Sequence, residues 1–215
     1  MNNSNNQLNL SSNGIAVEHL QCIRDDRVLF EDLNFSLSKG QLLQIEGRNG
    51  SGKTSLLRIL CGLTLPTEGT VYWKNQDIQS IKSSYWSKLA YIGHAPGVKA
   101  DLSPLENLAM AQALASTPNR INLIDALDQV GLYGFEDVPT HTLSAGQQRR
   151  VALARLLACD AQLWILDEPF TALDKSAIRM IENWLDNHAK KGGLAVLTSH
   201  HIVNCEHATS LQLSV

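Results

Sequence analysis

GRNGSGKT, residues 47–54, joins a strand pattern, QLLQIEG (41–47), to an apolar helix pattern, TSLLRILCGL (54–63). It fits G-x-x-x-x-G-K-[ST], and the chemistry explains each residue type. Gly47, Gly50 and Gly52, with Arg48, Asn49 and Ser51 between them, let backbone N–H groups wrap phosphate oxygens, and the helix that follows adds the positive end of its dipole. Lys53 brings a point charge to the β- and γ-phosphates, and Thr54 a hydroxyl for Mg²⁺. The strand before the loop and the helix after it are the context that such a loop requires. The stretch therefore implies a nucleoside triphosphate site.

Further on, LWILDE (163–168) is an apolar strand ending in two carboxylates. Acids at the tip of a buried strand are costly unless a cation or a substrate uses them. Asp167 suits a Mg²⁺ ligand and Glu168 a general base that polarises an attacking water. The competing readings are an acid at a helix N-terminus and a surface turn before Pro169.

Around these two elements the chain is read as follows. IAVEHL (15–20), RVLF (27–30), LNFSL (33–37) and EGTVYWK (68–74) have strand patterns and form an antiparallel layer. Strands at YIGH (91–94), QLWILD (162–167), LAVLTSH (194–200) and TSLQLSV (209–215) alternate with helices, which implies a largely parallel sheet covered on both faces. Ser103-Pro104-Leu105-Glu106 has the signature of a capped helix start. Helices over 104–115 and 120–130, then a loop to 142, make residues 95–145 an inserted helical subdomain. A helix from about Gln147 to Cys159 follows. A longer one starts near Asp174, carries Ile178, Ile181, Leu185 and His188 on one face, and stops at Gly192-Gly193. Residues 1–13, rich in Asn and Ser, read as a disordered lead-in, leaving 14–215 as one domain.

Composition sets bounds. With 215 residues, 18 Lys+Arg and 21 Asp+Glu, the chain suits one full-sized domain and has no basic footprint for nucleic acid. Cys22, Cys61, Cys159 and Cys205 are scattered without a C-x-x-C pair, so neither zinc nor a disulfide framework is indicated. No apolar run approaches the roughly 18 residues that span a bilayer.

LSAGQQRRVALARLL (143–157) narrows the reading. Ser144 and Gly146 open a helix whose N–H groups form an anion site, while Arg149, Arg150 and Arg155 read as solvated or paired charges. The order of phosphate loop, LSAGQ (Leu143, Ser144, Ala145, Gly146, Gln147), LDEP, ALD (172–174) and a late TSH (198–200) resembles the ATP-binding-cassette (ABC) ATPase family over about residues 15–200. The resemblance implies an α/β fold: a P-loop NTPase core with a parallel sheet, an antiparallel β subdomain and an inserted helical subdomain. It also implies a head-to-tail pair of nucleotide-binding domains that trap two ATPs, each between one phosphate loop and the partner's signature. It gives Ser144 and Gly146 the partner's γ-phosphate, Asp174 the dimer-interface loop, His200 γ-phosphate sensing and Glu168 the catalytic base.

Two positions depart from the family pattern. His94 stands where the family usually has a glutamine near Mg²⁺ and the attacking water; imidazole still makes one hydrogen bond, and its charge can change near neutral pH. Arg24, in QCIRDDR (21–27), stands where the family stacks an aromatic ring on adenine. A guanidinium plane can also stack on a base, or Arg24 pairs with Asp25 or Asp26. Together with QIEGRNGSGKTSLLRILCGL (44–63) and LSAGQQRRVALARL (143–156), GHAPGVKADLSPLENL (93–108) most resembles the ATP-binding subunits of bacterial cytochrome c maturation systems. That likeness implies ATP and Mg²⁺ as cofactors, membrane partners in haem export or in ATP-driven release of a haem chaperone, and a peripheral place on the cytoplasmic face of the inner membrane. No C-x-x-C-H string is present, so direct haem ligation is not expected, nor are nucleic-acid partners. The runner-up is the ATPase of a lipoprotein, metal or drug transporter. Chromosome-type ABC ATPases separate loop and signature by long coiled coils, which a separation of 89 positions without heptads does not provide (143 − 54 = 89).

Overall fold

The computed structural model describes residues 14–115 and 121–213. The lead-in expected over 1–13, the first residue of the helix expected at 120 and the last two residues of the terminal strand lie outside these. Strands β1 (Ile15–Arg24) and β2 (Arg27–Leu37) form a hairpin through Asp25 and Asp26, both at positive φ (49° and 57°), as a tight two-residue turn requires. RVLF and LNFSL, read as two strands, are one. The polar residues between them form a bulge rather than a turn: Asp32 (φ 45°) faces a second irregularity at His19 (φ 48°), and Asn34 ties the two together. Its Oδ1 accepts from the His19 N–H at 2.8 Å, and its Nδ2 donates to the Asp32 carbonyl at 2.7 Å.

The chain continues through β3 (Leu42–Glu46), α1 (Lys53–Leu60), β4 (Glu68–Trp73), β5 (Gln76–Asp77), α2 (Lys82–Trp86) and β6 (Leu89–Ile92). Then follow α3 (Pro104–Leu114), α4 (Leu123–Gln129), α5 (Ala145–Ala158), β7 (Leu163–Asp167), α6 (Lys175–Lys190), β8 (Leu194–Thr198) and β9 (Ala208–Gln212). One sheet is antiparallel in the order β2-β1-β4-β5. The other, in the order β6-β7-β8-β3-β9, is parallel throughout. Side chains alternate across a strand, and here both faces are apolar. Leu43, Ile45, Leu163, Ile165, Leu194 and Val196 join α1 and the antiparallel sheet in one core. Their neighbours Leu42, Trp164, Leu166, Ala195 and Leu197 join α5 and α6 in another. The near-continuous apolar runs of β7 and β8 are the consequence.

The capping box expected at Ser103 and Glu106 starts α3. A third core lies among the helices, with Leu108, Leu127 and Val130 packed on Val151, Ala154 and Ala158 of α5. One face of α5 therefore serves the helical insert and another the parallel sheet. The buried stripe of α6 is Ala177, Ile181, Leu185 and Ala189, spaced by four; Ile178 and His188 flank it, half-buried. Within the described residues no helix is long and apolar enough to cross a membrane.

Candidate active site

Parallel strands deliver their carboxyl ends to one edge, where ligands of such sheets bind. The phosphate loop follows β3, His94 follows β6, Asp167 and Glu168 close β7, and Thr198 and His200 close β8. A cavity of about 470 Å³ lies there, lined by Asn49, Gly50, Gly52, Lys53, Thr54, His94, Asp167, Glu168 and His200 together with Leu29, Ser55 and Thr171. Residues distant in sequence are thus brought together. A larger cavity, about 600 Å³, opens between α2, β6, α3 and α5 and contains none of the phosphate-loop residues.

The loop is shaped by its glycines. Gly50 (φ 81°) has open space where a Cβ would stand, whereas at Gly52 (φ 94°) a Cβ would come within 3.0 Å of Leu29. Both conformations favour glycine. Lys53 curls over the loop, its Nζ donating to the carbonyls of Gly47 at 2.7 Å and Arg48 at 3.3 Å. Ser51 Oγ is buried without a hydrogen-bond partner, one of two such side-chain atoms among the described residues. An orphaned hydroxyl, the Lys53 ammonium and the N-terminus of α1 make a donor set that fits a polyphosphate.

Opposite the loop, Thr54 Oγ1 donates to Asp167 Oδ2 at 2.9 Å, which sets two hard oxygen donors side by side, as Mg²⁺ prefers. The second oxygen, Oδ1, accepts from Thr198 Oγ1 at 2.7 Å, and that same hydroxyl accepts from the Glu168 N–H at 3.0 Å. Thr198 therefore orients both acids, a role its place in TSH did not disclose. Glu168 has a left-handed backbone (φ 49°), uncommon for a residue with a side chain. His200 Nε2 lies 3.7 Å from Glu168 Oε1, with the His200 side chain 68% exposed and that of Glu168 18%. The segment after His200 is held by buried Gln44, whose Nε2 donates to the His201 carbonyl at 3.0 Å and whose Oε1 accepts from the Val203 N–H at 3.1 Å.

The expectation for the signature helix arginines needs correction at Arg149. It is buried, 4% exposed, and its guanidinium donates to the carbonyls of Gly93, Asp167 and Glu168. Burial lowers its pKa, against the pull of the Asp167 and Glu168 carboxylates. Arg150 pairs with Asp174 at 2.9 Å, as a paired charge should. Asp174 also caps α6, its Oδ1 accepting from the Ala177 N–H at 2.8 Å; that bond holds its carboxyl below the usual range. Ser144 and Gln147 form a reciprocal capping box on α5. A Cβ on Gly146 would stand 2.8 Å from the Ala172 carbonyl, so glycine lets the signature meet the ALD loop. None of residues 143–147 lines the phosphate cavity. Neither does Arg24, which sits at the β1–β2 hairpin opposite Arg27 and makes no ion pair with Asp25 or Asp26. The four cysteines are free, and burial raises the thiols of Cys61, Cys159 and Cys205.

A phosphate loop on a parallel sheet, two acids at the end of β7 in that sheet, an antiparallel sheet and a helical insert together define an ATP-hydrolysing cassette. The model of the family described as ABC transporter matches residues 30–171, and the chain belongs to that family. It is 54% identical to a cytochrome c biogenesis ATP-binding export protein, CcmA, of Methylococcus capsulatus, over 91% of this chain and 95% of that protein. It is 50% identical to the protein of the same name from Nitrosococcus oceani, over 93% and 92%. Among solved structures, a dimeric bacterial ABC transporter cassette superposes with a TM-score of 0.78 at 22% identity, covering 93% of this chain and 94% of that one, a likeness of fold.

Proposed function

We propose that this chain is the ATP-hydrolysing subunit of a membrane export complex in c-type cytochrome biogenesis, with 14–215 as one nucleotide-binding domain and 95–145 as its helical subdomain. The names of its half-identical relatives support the pathway. The observation that carries the chemistry is the convergence of Lys53, Thr54, Asp167, Glu168, His94 and His200 on one cavity. On this reading the loop from Gly47 to Thr54 binds the triphosphate, and Lys53 swings from its own loop carbonyls to the β- and γ-phosphates. Thr54 and Asp167 hold Mg²⁺, which neutralises phosphate charge when bound. Glu168 accepts a proton from the attacking water, His200 senses the γ-phosphate, and His94 supplies a hydrogen bond to the water or the metal shell.

The signature does not line the chain's own phosphate cavity, which supports its use on a partner's ATP in a homodimer. Partners are then a second copy and integral-membrane subunits, at the cytoplasmic face of a bacterial inner membrane. Haem stays with those subunits, and nucleic acid has no part. Two experiments test the reading. Glu168→Gln keeps ATP binding, loses hydrolysis and accumulates as an ATP-bound dimer; hydrolysis at the wild-type rate assigns the base elsewhere. Capture of the tagged chain from membranes brings down subunits needed for c-type cytochrome assembly; recovery with transporters of another cargo overturns the pathway.

A further inference from the structure

Arg149 lies on α5, one turn beyond the capping box at Ser144, and its guanidinium is spent entirely on backbone. Nη1 donates to the carbonyl of Gly93 at 2.8 Å. Nη2 donates to the carbonyls of Asp167 at 2.7 Å and Glu168 at 2.8 Å, while Nε lies 3.5 Å from that of Pro169. A single rigid fork therefore joins the end of β6, one residue before His94, to the end of β7, and ties both to the signature helix. A lysine ammonium, a compact point charge on a flexible stem, does not span those positions at once.

The need for such a tie is visible at Glu168. Its φ of 49° persists only where its surroundings over-determine it. The Thr198 hydroxyl holds its N–H, and Arg149 holds its carbonyl. With both peptide groups of the residue pinned, the direction of the Cα–Cβ bond is fixed, and with it the place of the carboxylate. We infer that Arg149 is a positioning residue for ATP hydrolysis: it sets the Glu168 carboxylate and the strand end carrying His94 against the chain's own signature helix. The inference rests on the reading of Glu168 as the base.

The test compares Arg149→Met, Arg149→Lys and Glu168→Gln in the full chain, with hydrolysis expressed per bound nucleotide, so that unfolded protein does not count. Met fills the volume without donors, and misplacing a reacting group by about 1 Å costs up to about a hundredfold. Arg149→Met is expected to lower kcat per occupied site by about ten- to a hundredfold with KM for ATP within about threefold, since the phosphate loop is untouched. Arg149→Lys falls between Met and wild type. A rate within twofold of wild type in Arg149→Met, with Glu168→Gln inactive, overturns this inference alone. Should Arg149→Met fail to fold, a full rate in the lysine variant overturns it, and a rate reduced threefold or more at unchanged ATP affinity supports it. Hydrolysis by Glu168→Gln at the wild-type rate overturns the underlying assignment instead, whatever the arginine variants do.

Discussion

Thr198→Val isolates what one hydroxyl contributes to the site. Thr198 is fully buried, and valine matches its shape, so packing is conserved while two hydrogen bonds are lost. Asp167 Oδ1 loses its 2.7 Å donor and the Glu168 N–H its 3.0 Å acceptor. Asp167 is only 2% exposed, so water cannot substitute. Each buried group left unpaired costs about 1–3 kcal/mol, more for an ionised one, which makes about 3–5 kcal/mol for the pair. For a domain of this size that lowers Tm by about 10 °C. Thr198→Ser is the control: it keeps both bonds and loses a methyl, at about 1 kcal/mol. Urea unfolding of the three proteins, with unchanged m, reads the difference. A valine variant within 0.5 kcal/mol of the serine variant, a margin small against the bond cost, would refute the claim that Thr198 braces the two acids.

Three further substitutions probe separate parts of the fold. His188 stacks on Trp164 at 3.9 Å between centroids, and burial depresses its pKa to about 4. Its stabilising contribution is complete above the ordinary value near 6.5 and is lost as pH falls from there through about 4. Wild type should therefore lose up to about 3 kcal/mol relative to His188→Phe between pH 7.5 and 4.5, and parallel urea midpoints across that range would remove the idea. Gly146→Ala places a Cβ 2.8 Å from the Ala172 carbonyl, and should cost about 1–3 kcal/mol and depress hydrolysis with the ALD loop displaced; a variant equal to wild type in both contradicts the close approach. Asn107 is buried, accepts from the Lys99 N–H at 2.7 Å and donates to the carbonyls of Lys99 and Ser103, so Asn107→Leu should cost about 2–4 kcal/mol in urea, and a loss under 1 kcal/mol counts against it.

The phosphate loop was legible because its glycines and Lys53 answer to local geometry, and β7 because two buried faces demand an unbroken apolar run. The capping box at Ser103 was equally local. What escaped depends on long-range pairing. Glu31 and Asp32 look like a turn in sequence, and only the pairing of β2 with β1 makes them a bulge. β5 has two residues and α2 five, too short for periodicity to announce them. Thr198 and Gln44 are ordinary strand residues until the parallel register sets them beside Asp167 and the segment after His200. Arg149 misled most: an arginine next to Arg150 on a polar-looking helix start suggests solvent, and nothing local states that four carbonyls at two strand ends converge beneath it.

The division between pinned and exposed groups bears on how the site is used. Asp167 and Glu168 are held by Thr54, Thr198 and Arg149 from α1, β8 and α5, so three elements share the task of placing two carboxylates. The side chains of His94, His200 and Ser144, by contrast, are exposed. A group that must meet ATP bound to the same chain gains from being preorganised, since its placement then costs nothing at the moment of reaction. A group that must meet a partner's ATP cannot be enclosed before the partner arrives. On the proposed reading, the α5 N-terminus is of the second kind and the β7 tip of the first, and Arg149 is the hydrogen-bonded strut between them. Closing the dimer on Ser144 would load α5, and the load would reach Glu168 through one buried guanidinium rather than through a flexible loop. Arg149→Lys should then weaken the dependence of hydrolysis on protein concentration as well as its rate. A lysine variant whose rate falls while its concentration dependence stays that of wild type would confine Arg149 to local placement.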